Sequence, residues 1–182
     1  MKVVFLDFDG VLNCVKSKSR APFSYEPNVW YVGLDSDKMR NLAKIVQETD
    51  AKIVLTTTWR DHYSIGAYKQ EDPVGKYVNN KFRKVGLKIY DKIQIGKRFD
   101  RGKGVKVWLD EHPEVTDFVI LDDEEMGYYN DYDLFDPHFV KTFWNGHGLT
   151  ENCANAAIKI LNGELGIYRD MDDLHSIYPF VN

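Results

Sequence analysis

A chain of 182 residues that is 43% hydrophobic and 29% charged has enough apolar material for one buried core and no bias toward disorder. Its two cysteines, Cys14 and Cys153, are too few for a disulfide framework or a zinc site, and the short apolar run at the start leads straight into acids. A signal peptide and a membrane span are therefore not expected, and a reducing, cytoplasmic setting without a membrane partner is. The formal net charge of −4 is unevenly spread: residues 76–106 carry eleven basic side chains against two acidic ones, whereas residues 107–182 carry sixteen acids and three bases. A basic stretch inside an acidic protein can attract phosphate-bearing partners.

The chain begins KVVFLDFDGVLN. Val3, Val4, Phe5 and Leu6 form a continuous apolar run of the kind buried in a central parallel strand, predicted over 2–7, and the run ends in Asp7 and Asp9. Carboxylates so close together repel, and burial raises their cost, so a cation or a chemical task is implied. A helix is predicted over 35–49, capped by Asp35 or Ser36 and carrying Met39, Leu42, Ala43 and Val46 on one face. A strand over 52–57 ends in Thr56 and Thr57 and is followed by Thr58 and Arg60. Then come a helix at about 74–84, a strand over 87–91 and the basic stretch GKRFDRGKG, with Lys97, Arg98, Arg101 and Lys103. A helix over 103–112 leads to a strand over 117–122 that ends in Asp122 and Asp123, then a strand over 139–143. Thr150 and Glu151 open a last helix, 150–163, carrying Ala154, Ala157, Ile158 and Leu161.

Alternating strands and helices predict an α/β fold, a doubly wound parallel sheet of five strands with helices on both faces. We read residues 1–182 as a single domain with a core over about 1–163 and a C-terminal extension over about 164–182. In such sheets ligands bind beyond the carboxyl ends of the strands, so the acids, the threonines and the basic stretch should converge at one edge. Clustered carboxylates suit magnesium. An aspartate can attack phosphorus to give an aspartyl-phosphate, and a second acid two residues on can protonate the leaving oxygen and later activate water.

DFDGVLN, IVLTTTW, a basic residue opening a helix and VILDDEE, in this order, resemble the four motifs of the haloacid dehalogenase (HAD) superfamily over roughly residues 1–160. The resemblance implies a HAD-like Rossmann fold and a magnesium-dependent phosphatase. It makes Asp7 the nucleophile and Asp9 the general acid/base as well as a backbone-carbonyl ligand of magnesium. Thr57, or alternatively Thr56, becomes the phosphate-binding hydroxyl. Asp7, Asp9, Asp122 and Asp123 become the metal site, with Asp123 the direct ligand and Asp122 acting through water or the basic residue. The superfamily usually has lysine in the third motif. Here Arg101 matches that position and Lys103 is the alternative; arginine grips phosphate as a fork and lysine as a point charge.

LTTTWR, RGKGVKVWLDEHPEVTDFVILDDEE and GHGLT further resemble the small HAD domains grouped with RNA-repair, or Swiss-army-knife, phosphatases. That grouping implies a nucleotide or nucleic-acid phosphate end as substrate. Thr57, Thr58 and Arg60 are the candidate substrate contacts, with Arg60 alternatively paired with Asp61 or stacked beside Trp59, and no obligate protein partner is inferred. Tyr128, Tyr129, Tyr132 and Phe135 are available to stack on a base or to pack the core. His62, His112, His138, His147 and His175 lack metal-ligand spacing and read as surface or structural. Neither Asn13–Lys52 nor Arg60–Asp100 has room for a full lid domain, so no large cap is expected. A phosphotransferase is the alternative within the superfamily. A signalling receiver domain phosphorylated at Asp91, or a non-catalytic phosphate-binding module, are the alternatives outside it.

Overall fold

A computed structural model describes residues 1–24, 31–94, 101–124, 129 and 132–177. The strands are β1 Lys2–Leu6, β2 Lys52–Leu55, β3 Ile89–Lys92, β4 Asp117–Asp122, β5 Phe139–Lys141 and β6 Tyr168–Arg169. The helices are α1 Ser36–Thr49, α2 Pro73–Lys84, α3 Arg101–Glu111, α4 Tyr132–Phe135, α5 Glu151–Leu161 and α6 Met171–Ile177, with 3-10 turns at Thr58–His62 and Asp136–His138. The sheet order is β3-β2-β1-β4-β5-β6, and every pairing is parallel.

β1 is central because it can be buried on both faces. Val4 and Leu6 join the larger core with α1, α2 and α5, while Val3 and Phe5 point the other way into a core with Val105 and Trp108 of α3. Phe5 makes edge contacts with Trp108 and Phe118, at 5.5 and 5.8 Å between ring centroids. Truncating such a ring to alanine costs about 3–5 kcal/mol. β2 and β3 lie on one side of β1, and β4, β5 and β6 on the other. The winding direction therefore reverses between β1 and β4, where α/β sheets open a crevice.

The sheet has six strands, not the five expected. β6 comes from the presumed C-terminal extension and pairs with β5 through Val140↔Tyr168 and Lys141↔Arg169. A two-residue strand carries no readable period, which is why sequence pattern missed it. The segment is nonetheless well tied down. Thr150 accepts from Cys153 N at 3.1 Å, which caps α5, and donates its hydroxyl to the buried Asp170 at 2.6 Å. Asp173, also buried, takes the backbone N–H and the ring of His147 at 2.9 and 2.5 Å. A Cβ on Gly146 would lie 2.3 Å from Asp173 Oδ2, so this loop needs glycine there.

Strand ends also differ from expectation. β3 starts at Ile89 because Gly86, at φ +73°, turns the chain and leaves Leu87 and Lys88 outside the ladder. Arg20 and Val32 form an isolated antiparallel bridge in the connection from β1 to α1. No cap domain is present among the described residues, and no helix among them is long and apolar enough to cross a membrane.

Candidate active site

Backbone hydrogen bonding continues one residue past several strands. Asp7 N donates to Leu121 O, Thr56 N to Leu6 O and Thr142 N to Asp122 O, at 3.0, 3.0 and 3.1 Å. These bonds hold Asp7, Thr56, Asp122 and Thr142 along one edge of the sheet, at the reversal between β1 and β4. Asp7 is 2% exposed, and Thr56, Thr57 and Asp122 are fully buried.

Arg101, the first residue of α3, lies among these groups. Its buried guanidinium reaches Asp7 Oδ2 at 3.0 Å and Asp122 Oδ2 at 2.7 Å. Asp122 Oδ2 also accepts from the buried Tyr129 hydroxyl at 2.8 Å, and its Oδ1 accepts from Glu124 N at 2.9 Å. Oxygens of Asp7, Asp122 and Asp123 all come within 4.8 Å of one another. Burial and the neighbouring Asp122 push the Asp7 carboxyl well above its usual range, against the pull of Arg101. Burial, with Asp122, pushes Asp123 up to about 7. Arg101, with Lys141 beside Asp123, still leaves the three converging acids with surplus negative charge. Asp7 Oδ1 is buried and has no hydrogen-bond partner among the described residues. An all-oxygen donor set of three converging carboxylates with surplus negative charge fits a hard divalent cation such as magnesium.

The carboxylate of Asp9 is outside that group. Its Oδ1 accepts from Asn13 Nδ2 at 2.9 Å and its Oδ2 from the indole N–H of Trp59 at 3.0 Å. Asn13 Oδ1 in turn accepts from Gly10 N at 3.2 Å, closing the turn after the first acid pair. Gly10 has φ +78°, and a Cβ there would lie 2.2 Å from Asp123 Cγ. Only glycine lets the first and fourth motifs meet so closely.

The threonines divide. Thr57 Oγ1 accepts from Trp59 N at 3.3 Å, capping the 3-10 turn and leaving its hydroxyl proton to donate elsewhere. Thr56 Oγ1 is buried and has no partner among the described residues, as is Thr142 Oγ1. Thr58 is exposed. Arg60, expected to touch substrate, is 5% exposed and donates through Nη1 to the carbonyls of Thr56 and Thr57 at 3.0 and 2.8 Å, so these contacts make it a strut for the second motif.

Of the two third-motif candidates, Arg101 is brought to the acids and Lys103 is exposed. Two residues along a helix turn the side chain through about 200°. Lys97 and Arg98, like Tyr128, lie outside the described residues. Tyr129 and Phe135 pack with each other, and Tyr129 with Phe139, at 5.4 and 5.3 Å, so both serve the core rather than an open stacking face. Asp91, the acid of the receiver-domain alternative, accepts from the Trp108 indole at 2.7 Å and is not part of the acidic group.

Sequence reasoning missed Asn13, Trp59, Thr142 and Lys141. Lys141, at the end of β5, donates to the Asp123 carbonyl and holds down the Asp123 carboxyl that burial pushes up. Asn13 stands four residues after Asp9, and that spacing was the available signal. The other three become visible only once strand order is known. The histidines are structural or peripheral where described. His112 stacks on Trp108 and His138 on Phe118, at 3.7 and 3.9 Å, and His62 pairs with Asp72 at 3.1 Å.

A search of curated proteins finds no match. Among solved structures, a HAD superfamily (subfamily III A) hydrolase from Legionella pneumophila is similar, at 12% identity over 90% of this chain and 84% of that one, with a TM-score of 0.47. The family model for the HAD domain in Swiss Army Knife RNA repair proteins matches residues 3–154, a span that holds Asp7, Asp9, Thr57, Arg101, Asp122 and Asp123. The chain thus belongs to the HAD superfamily, in the family of HAD domains known from Swiss Army Knife RNA repair proteins.

Proposed function

We propose that this chain is a magnesium-dependent phosphomonoester hydrolase that works through an aspartyl-phosphate on Asp7. The observation that carries the reading is the Asp7 carboxylate, with Oδ2 fixed by Arg101 at 3.0 Å and Oδ1 buried and unpartnered among the described residues. Oδ1 attacks phosphorus, the bond from phosphorus to the ester oxygen breaks, and Asp9 gives that oxygen a proton. Asp9 then takes a proton from water, which attacks the phosphorus, releases inorganic phosphate and restores Asp7. The Arg101 guanidinium and the Thr57 hydroxyl, with Thr56 beside it, hold the transferring phosphoryl oxygens. Asn13 and Trp59 set the position of Asp9 through both its oxygens. Asp7, Asp123 and the Asp9 carbonyl would hold magnesium, with Asp122 acting through water or Arg101; when bound it neutralises the phosphate against the acidic group.

The substrate we propose is the phosphate end of a nucleotide or oligonucleotide. The family's occurrence in RNA repair proteins, the basic stretch 76–106 and the lack of a cap domain among the described residues support it. A bulky ester brings remote contacts that an open crevice needs for orientation. The test is phosphate release with magnesium from mononucleotides, phosphate-ended oligonucleotides and small sugar phosphates, using parent and Asp7→Asn protein. We expect the highest kcat/KM on nucleotide or oligonucleotide ends, weakening with salt, and a loss of at least about 10³ in the variant. Release from Asp7→Asn within about tenfold of the parent would overturn the mechanism, and equal or better kcat/KM on a sugar phosphate would overturn the substrate assignment.

A further inference from the structure

We propose that the flank formed by α2, β3 and the loop from Tyr63 to Gln70 is a binding groove for single-stranded nucleic acid, which carries the strand leading away from the phosphate end; this rests on the substrate reading above. A depression of about 650 Å³ on this flank is lined by Tyr63, Tyr68, Lys69, Arg83 and Lys88 over an apolar floor that includes Phe82 and Leu87. It shares Lys88 with a second depression of about 510 Å³, which adds Lys52, Ile65 and Tyr90. Round α2, a third of about 640 Å³ is lined by Arg40, Lys44, Lys81 and Lys84.

The charge of this flank runs against the whole. In a protein of net charge −4, Asp50 is the single acid among the described residues that line these three depressions, and Lys52 pairs with it at 3.3 Å. Lys44 pairs with Glu151 at 3.2 Å, and Lys81 donates to Leu34 O at 2.5 Å. Among the described residues Lys69, Arg83, Lys84 and Lys88 have no acidic partner, so the positive potential is not cancelled locally.

Aromatic rings supply the second observation. Tyr68 is fully exposed and Tyr90 is 44% exposed, so both rings offer surface to solvent on this flank. Tyr68 is not on a frayed loop. The buried Gln70 closes it with two hydrogen bonds, accepting from Ser64 N at 2.9 Å and donating to Ser64 O at 2.7 Å. Gly75 passes so close that a Cβ would lie 2.4 Å from His62 O, which packs the loop base against α2. A braced loop thus presents an open ring beside three cations. Spaced cations with exposed aromatic faces suit a backbone of phosphates carrying unpaired bases, because every base has a face to stack. Duplex bases are already stacked on each other and cannot use Tyr68. The groove's lining runs from Tyr63, next after the 3-10 turn capped by Thr57, to Lys88, just before β3, so it follows the β3 side of the sheet from the loop after the second motif.

The test uses the full chain and a labelled twelve-nucleotide RNA of mixed sequence, followed by anisotropy from low to physiological salt. The variants are Tyr68→Ala and the pair Arg83→Gln with Lys88→Gln, all at exposed positions; circular dichroism checks that they fold. Tyr68→Ala should weaken single-strand binding at least about fivefold and leave duplex binding unchanged. The charge pair should weaken it and reduce the slope of log affinity against log salt by about 1.4. Both should leave kcat on p-nitrophenyl phosphate within about twofold of the parent. Parent-like RNA binding in both variants would overturn the groove, as would displacement of the RNA by poly-glutamate as readily as by unlabelled strand. Failure of the hydrolase reading looks different: no phosphate release from any ester, with the losses of RNA binding still present.

Discussion

Arg101→Met should destabilise the metal-free protein by more than any other single charge removal in the site. The guanidinium is 6% exposed and is shared by Asp7 and Asp122, which are 2% and 0% exposed. Methionine fills much of the volume but leaves two buried carboxylates without their counter-charge. Breaking a buried ion pair from one side costs about 3–5 kcal/mol. For a chain of this size each kcal/mol shifts Tm by about 2–4 °C, so a fall of roughly 6–20 °C is expected. The loss should also depend on pH. Arg101 pulls the Asp7 carboxyl down, so without it that group rises further above its ordinary value of 3.8. The folded state then keeps a proton that the unfolded state has released, and stability falls as pH rises above that ordinary value. Thermal unfolding in EDTA at pH 5.5 and 8 measures this, with Lys103→Met as the comparison. The exposed Lys103 should cost no more than about 0.5 kcal/mol. With magnesium present, kcat should fall by about 100-fold or more for Arg101→Met and by less than about threefold for Lys103→Met. An Arg101→Met protein with parental Tm at pH 8, or a Lys103→Met protein with the larger loss of activity, would refute the reasoning.

Asp7→Asn should remove at least about 10³ of kcat by deleting the attacking oxygen, while Tm in EDTA holds or rises because repulsion from Asp122 is relieved; residual activity within about tenfold of the parent would contradict this. EDTA should stop turnover and magnesium restore it. Because Asp123 titrates at about 7 and Asp7 is also raised, metal-free stability should decline from about pH 4 to 7, and magnesium should raise Tm more at pH 8 than at pH 5.5; calorimetry showing an equal shift at both would count against the acidic group as the metal site. Trp59→Phe keeps the ring that meets Phe8 at 5.7 Å but loses the indole donor to Asp9, so kcat should fall about tenfold with KM nearly unchanged; a change confined to KM would place Trp59 in substrate binding instead.

The parts of this molecule that were legible beforehand are those whose signal is local. Val3 to Leu6 declare a buried strand through composition alone, and strand ends in a wound sheet share one edge, so Asp7, Thr56, Thr57, Asp122 and Asp123 could be gathered before any coordinates. Arg101 and Lys103 could not be separated, because the difference between them is the phase of a helix that starts within a basic run. Arg60 could be read either as a substrate contact or as a side chain paired with Asp61 or Trp59, because its own neighbourhood does not say whether it points outward or turns back to the Thr56 and Thr57 carbonyls. Trp59 and Lys141 act across strands, on Asp9 and Asp123, and nothing in their own neighbourhoods marks them. β6 was hidden for another reason: two residues borrow their strand conformation from β5 and have little of their own.

The pairing of β1 with β4 has a consequence for how the molecule comes into being. Leu6 lies beside Leu121, about 115 residues away along the chain, and that contact is what sets Asp7 next to Asp122 and under Arg101. Closing so long a loop is entropically costly and is repaid only when both faces of β1 are covered. A nascent chain that has emerged through α2 already has Asp7, Asp9 and both threonines, yet it lacks the guanidinium and the second pair of acids. The edge is therefore complete only once β4 has paired with β1, and a chain that ends at α2 carries half of its reactive groups without their partners.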